Sequence, residues 1–188
     1  MSGGDGTPIV KYNAKAAKWK VDDVTLHGIS FVVDLDNAKA GWALFRENTE
    51  PDFAMVPVVD LVGGSPYPAR PSEDHRKGFL AMVKIPDRLA AGKPSVREFA
   101  SCSLAVRRAF DVLYDAWALE RGHHPGQLPA VTIKDYEEIS GRHGSNFAPI
   151  FRIVKWVDRP ESLDGVAVAS APIDAADDDA DFDDEIPF

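Results

Sequence analysis

The chain has 188 residues, 45% of them hydrophobic, which is enough for one domain with a sizeable core. Its single cysteine, Cys102, excludes an internal disulfide and argues against cysteine-ligated zinc, and the start MSGGDGTPIVKYN carries no apolar signal segment, so a reducing, cytoplasmic setting is expected. The net charge of −9 is uneven: residues 161–188 hold ten acids and no Lys or Arg, leaving 20 acids against 21 bases in residues 1–160, so the body is +1 and the tail −10.

Residues 1–10 are small and polar and read as a flexible N-terminus. Val24–Leu35 (VTLHGISFVVDL) is β-branched and aromatic, and DNAKAG then turns into Trp42–Glu47 (WALFRE), so a β-hairpin is expected. Phe53–Val62 reads as an edge strand, because Pro57 lacks the N–H a central strand needs. Gly63–Gly78 (GGSPYPARPSEDHRKG) has the composition of a loop, and Gly78–Ile85 that of a strand stopped by Pro86. Pro94–Gly122 is the clearest helix: Ser95 and Glu98 form a capping box, and apolar residues from Val96 to Trp117 fall near helical spacing. Two strands follow, Ala130–Ile139 and Phe147–Val157, separated by SGRHGSN.

The order of strands, one long helix and two more strands predicts a β-rich α+β fold. It corresponds to an OB-fold-like five-stranded barrel with the helix between strands 3 and 4, spanning residues 11–160. Residues 161–188 have too few large apolar groups to offset the entropy of ordering, so a disordered acidic C-terminal tail is expected.

That tail ends DADFDDEIPF. The acidic run, the final Ile-Pro-Phe and their terminal position resemble the C-terminal tip of bacterial and phage single-stranded DNA-binding proteins; the likeness covers about ten residues. It implies that Asp183, Asp184, Glu185, Ile186, Pro187 and Phe188 dock on replication or recombination proteins such as a polymerase, helicase, primase or nuclease. The terminal Phe would fill an apolar pocket while basic groups take the acids and the carboxylate. Physically, Phe188 is a compact anchor, Pro187 limits the entropy lost on docking, and the acids speed encounter with a basic surface.

Single-strand binding sites combine cations with aromatic platforms for the bases. The body offers Lys18, Trp19 and Lys20, then Trp42 and Arg46, then Tyr67, Arg70, Arg76 and Lys77, and finally Arg142, Arg152, Lys155 and Trp156. Phe45 and Phe151 are assigned to the core, Trp19, Trp42, Tyr67 and Trp156 to stacking, and Arg107, Arg108 and Arg121 to the wet face of the helix. No cofactor and no catalytic set is expected; Asp34, Asp36 and Asp60 are the only loose candidates for a metal-dependent nuclease. The expected function is to coat single-stranded DNA during replication, recombination or repair, and a homo-oligomer is allowed. Two other readings stay open: an adaptor or decoy that uses the tip without binding DNA, and a strand-annealing recombination factor.

Overall fold

The computed structural model describes residues 7–46, 49–141 and 144–164. The tip from Asp183 to Phe188, most of the acidic tail and Arg142 lie outside the described residues.

In chain order the elements are β1 (Ile9–Asn13), β2 (Lys18–Val21), β3 (Val24–Leu26), β4 (Ile29–Leu44), β5 (Asp52–Pro57), α1 (Val58–Val62), β6 (Arg76–Lys84), α2 (Asp87–Ala90), β7 (Val96–Ser101), α3 (Leu104–Glu120), β8 (Gln127–Ile133), β9 (Tyr136–Gly141), β10 (Gly144–Pro149) and β11 (Arg152–Asp158). Among the described residues nine strands form one sheet in the order β11-β8-β4-β6-β7-β1-β2-β3, with β5 also on β4, while β9 and β10 make a separate hairpin. The sheet is mixed, because β1 runs parallel to β7 and every other pairing is antiparallel. Five of its strands, β4, β6, β7, β8 and β11, pair in the order fifth-fourth-first-second-third counted along the chain, and α3 joins the third to the fourth. Among the described residues β7 does not pair with β11; its free edge takes β1 instead.

The strand count therefore exceeds the expected five, and the long helix is shorter at its start than its spacing predicts. Val96–Ser101 is a strand whose register runs Phe79↔Ser101 to Lys84↔Val96 on β6. The three-residue spacing of Val96 and Phe99 suits a helical face, and the ladder on β6 and the bond from Glu98 N to Pro8 O override it. The Ser95–Glu98 capping box is consequently absent, and Ser103 stands at the true helix start. From there Val106, Phe110, Leu113, Tyr114 and Trp117 follow the 3.6-residue period and cover the sheet, with Phe110 stacked on Phe79 at 3.9 Å.

The sheet curls around one aromatic core. Trp19 of β2 meets Phe31 of β4, Phe99 of β7 and Phe151 just before β11, at centroid distances of 6.1, 5.3 and 6.4 Å. Residues from both ends of the strand order thus share one cluster. The β9–β10 hairpin folds back over β1–β3: Tyr12 Oη donates to Phe147 O (2.7 Å), Phe147 N to Ala14 O (2.7 Å), and Trp19 Nε1 to Tyr136 Oη (3.0 Å). Ile9 and Val10, read as part of a loose N-terminus, belong to β1, and Val10 is fully buried.

The end of the body is also tied down further than residue 160. A short helical turn spans Glu161–Leu163, with Leu163 buried, and Arg159 bonds Asp164 at 3.0 Å. Arg159 also reaches the buried Asp34 and lies 3.5 Å from Asp36, where extra residues in β4 bulge out between Asp34 and Lys39. Among the described residues no helix is long and apolar enough to cross a membrane.

Candidate nucleic-acid interface

The predicted binding residues separate into three places. Five of them come together where β4 ends, the 63–75 loop passes over, and β6 begins. Trp42 and Lys77 are cross-strand partners, as are Ala43 and Arg76. The loop adds Tyr67 and Arg70. Three prolines, Pro66, Pro68 and Pro71, fix φ along this stretch and leave it without regular structure, so that Tyr67 and Arg70 project from a stiff strap.

Hydrogen bonds fix the two rings in place. Trp42 Nε1 donates to Pro68 O (2.7 Å), and Tyr67 Oη donates to Gly41 O (2.8 Å). Gly41 is required there, because a Cβ would stand 2.2 Å from Ala54 O and 3.0 Å from the Pro68 ring. The rings meet edge to face at 5.9 Å. The Arg70 guanidinium lies 5.1 Å from the Trp42 centroid and Lys77 Nζ 5.9 Å from that of Tyr67. Tyr67 keeps 42% of its surface exposed, whereas Trp42 is half-buried. Tyr67 is thus the accessible ring and Trp42 its support. Burial, only partly opposed by the nearby Arg107 charge, pushes the Tyr67 phenol up to about 12, so the ring is neutral at physiological pH.

The loop's last turn orients Arg70. Arg70 Nε donates to His75 O (3.0 Å), Arg70 Nη2 to Glu73 O (2.5 Å) and Arg76 Nη1 to Glu73 O (2.7 Å). Ser72 Oγ and His75 Nδ1 are 2.8 Å apart, and His75 Nε2 lies 3.3 Å from Asp52 of β5. Because His75 N also donates to Ser72 O (3.1 Å), Ser72 and His75 clamp a single turn onto β5. The cations of this cluster bond to carbonyl oxygens or to ring faces. Among the described residues Arg70, Arg76 and Lys77 enter no ion pair, whereas Arg97, Arg121, Arg152 and Arg159 each pair with an aspartate.

The second place is the β1–β2 hairpin. Lys18 and Lys20 are exposed, and Lys20 faces Lys11 across the pair. Trp19, between them, points to the other face and is 0% exposed, so it is not an accessible stacking ring. The two-residue strand period separates it from its lysine neighbours. The third place is β11. Trp156 is half-buried, packs against the core and already carries the His124 ring at 4.2 Å and 7°. Arg152 is neutralised by Asp135 at 3.1 Å, and Lys155 is exposed. Arg46 is exposed at the end of β4, next to Phe45; that ring, expected in the core, is 45% exposed and packs edge-on against Phe53. Phe151 does pack against the main core.

Arg107 is the residue that sequence spacing misassigned. It sits in the first turn of α3, half-buried, and its charge acts on Tyr67, Cys102 and Asp111. Its position four residues after Ser103, the true helix start, becomes visible only once β7 is recognised as a strand. Burial raises the Cys102 thiol to about 11, against the pull of Arg107 and Arg76, which keeps it a protonated, unreactive group. Asp34 and Asp36, considered as metal ligands, both engage Arg159. Among the described residues no group of three His, Cys, Asp or Glu side chains fits a metal ion. A shallow cavity of about 420 Å³ beside Leu26, Ile29, Ser30, Arg88, Leu89 and Lys134 contains none of the predicted binding residues.

Comparison with protein-family models, with curated proteins and with solved structures gave no match.

Proposed function

We propose that this protein binds single-stranded DNA without catalysis and recruits replication or recombination enzymes through its C-terminal tip, in the manner of a phage-type single-stranded DNA-binding protein. The observation that carries the reading is the cluster of an exposed Tyr67 ring, its Trp42 support and the cations Arg70, Arg76 and Lys77, none of them neutralised by a described carboxylate. A base stacks on a ring face whatever its identity, and a cation without a carboxylate partner is available to a phosphate. The polar atoms of both rings are already bonded to backbone carbonyls. Both donors are therefore engaged, which leaves stacking on the ring face as the main contact and favours low sequence preference.

The body is an OB-type barrel in this proposal. Support comes from the fifth-fourth-first-second-third pairing of β4, β6, β7, β8 and β11, with α3 between third and fourth. On that assignment the Tyr67 strap is the connection between the first and second barrel strands and the β9–β10 hairpin that between the fourth and fifth. These are the two connections with which OB-folds hold oligonucleotides. Lys18, Lys20, Arg46 and Lys155 are further exposed cations for the DNA backbone, Arg152 being held by Asp135, and the tip from Asp183 to Phe188 serves the partners.

One observation favours the adaptor reading: a body charge of +1 is low for a DNA binder. Binding of oligo-dT at low salt by the full chain and by a chain ending at residue 164 decides between them. Ending at 164 keeps the buried Leu163 and the Arg159–Asp164 bond in place. Micromolar or tighter binding that weakens steeply with salt supports DNA binding; no binding by either chain leaves the adaptor.

A further inference from the structure

The Tyr67 site has a fourth wall that its own loop does not supply. Cys102, just before α3, places its Sγ 3.8 Å from Ala43 O and 3.7 Å from Arg76 O. It also fills the space beside Gly78, where a Cβ would stand 3.1 Å from that sulfur. The start of α3 therefore rests on the strand ends that carry Trp42 and Lys77. One turn further on is Arg107. Its Nε is buried and without a hydrogen-bond partner, and among the described residues Arg107 enters no ion pair. Asp111, four residues on, lies within its field, but that carboxyl is pushed up by burial more than Arg107 pulls it down. The Arg107 Nε–H is itself closed to a ligand, but the side chain as a whole is only half-buried and its guanidinium has no partner among the described residues, so its charge is left for an anion oxygen at the Nη groups.

We infer that Arg107 is a phosphate-binding residue of the Tyr67 site, gripping the backbone next to a base stacked on Tyr67. The inference rests on the single-strand reading above and deepens it: α3 as well as the loop holds the ligand. The ligand chemistry is a phosphodiester, whose two free oxygens match the guanidinium fork better than an ammonium. The same turn of α3 offers an internal control, since Arg108 is exposed there and is given no phosphate to hold.

The test uses the full chain, oligo-dT and a salt series, with Arg107→Ala, Arg107→Gln, Arg107→Lys and Arg108→Ala. One phosphate contact on a single strand contributes about 0.7 to the slope of log K against log salt. Arg107→Ala is expected to reduce the slope by about that amount and to weaken low-salt binding roughly tenfold. Arg107→Lys should restore the slope but not all of the affinity, and Arg108→Ala should change the slope less than Arg107→Ala does. If the alanine variant fails to fold, the slope difference between Arg107→Gln and Arg107→Lys gives the same comparison. Wild type binding with a slope unchanged in Arg107→Ala and Arg107→Gln overturns the role of Arg107 and leaves the single-strand reading standing. No binding by wild type sinks that reading, and the role of Arg107 with it.

Discussion

Two clusters in this molecule combine a tryptophan with lysine and differ in how ring and cation meet. Around Trp19 the rings of Tyr12, Phe31, Phe99 and Tyr136 close on one another, and Trp19 is fully buried with its Nε1 bonded to Tyr136. Around Trp42 the partner rings and cations leave Tyr67 open to solvent. Lys18 and Lys20 flank Trp19 along the chain, whereas Trp42 lies between Gly41 and Ala43 and meets Lys77 across the strand pair. Sequence neighbours of opposite strand phase never meet, whereas cross-strand partners do. A cation beside an aromatic therefore indicates a ligand surface only when the two share a face and the cation lacks a carboxylate.

The largest effect should come from emptying the first cluster. Trp19→Ala is expected to cost about 3–5 kcal/mol of stability, read by denaturant unfolding, because it leaves a cavity in the core. Protein that remains folded should bind oligo-dT as before, and a selective loss of binding would merge the two clusters again. Next comes a neutralised arginine: Arg159→Ala leaves the buried Asp34 without its cation, held only by Asn37 N and Nδ2, and should cost on the order of 2–3 kcal/mol. In the second cluster the loss moves from stability to binding. Tyr67→Ala should weaken oligo-dT binding by about 1–3 kcal/mol while lowering stability by about 1 kcal/mol through the lost bond to Gly41 O.

The smallest effect concerns pH. Burial first, and the nearby Glu50 second, raise the Glu98 carboxyl above its ordinary value. A carboxyl raised in the folded state gives stability that is present at low pH and lost as pH rises through its folded pKa. Glu98→Gln should therefore stabilise the protein at neutral pH by about 0.5 kcal/mol, a gain that shrinks in acid. An equal gain at pH 4 and pH 7 would show that Glu98 is not desolvated.

The outline of the fold was legible where one signal dominated. The β-branched run at Val24–Leu35 marks β3 and the first half of β4, although the hairpin turn expected at DNAKAG is instead a bulge within β4, and the 3.6-residue spacing from Val106 to Trp117 marks α3. Val96–Ser101 was not legible, since Val96 and Phe99, three apart, share a face in a helix but lie on opposite faces of a strand, and only pairing with β6 and β1 overrides that helical spacing. The strands β1, β2 and β3 have three to five residues each, too few for a period to show. At the candidate site Tyr67, Arg70 and Lys77 could be read from a proline-rich loop with interleaved cations. Arg107 could not, because it lies 40 residues from Tyr67 in sequence and depends on where α3 starts. The setting of Trp156 was hidden for a related reason: His124, 32 residues away, stacks on one of its faces.

The most direct test of the central claim is a titration of the full chain with oligo-dT at low salt, repeated with Tyr67→Ala and with Lys77→Ala. The expected result is binding at micromolar protein or tighter, a loss of roughly five- to 150-fold in Tyr67→Ala, and a salt slope lower by about 0.7 in Lys77→Ala. Absence of binding by wild type, or binding unchanged in both variants, would contradict it.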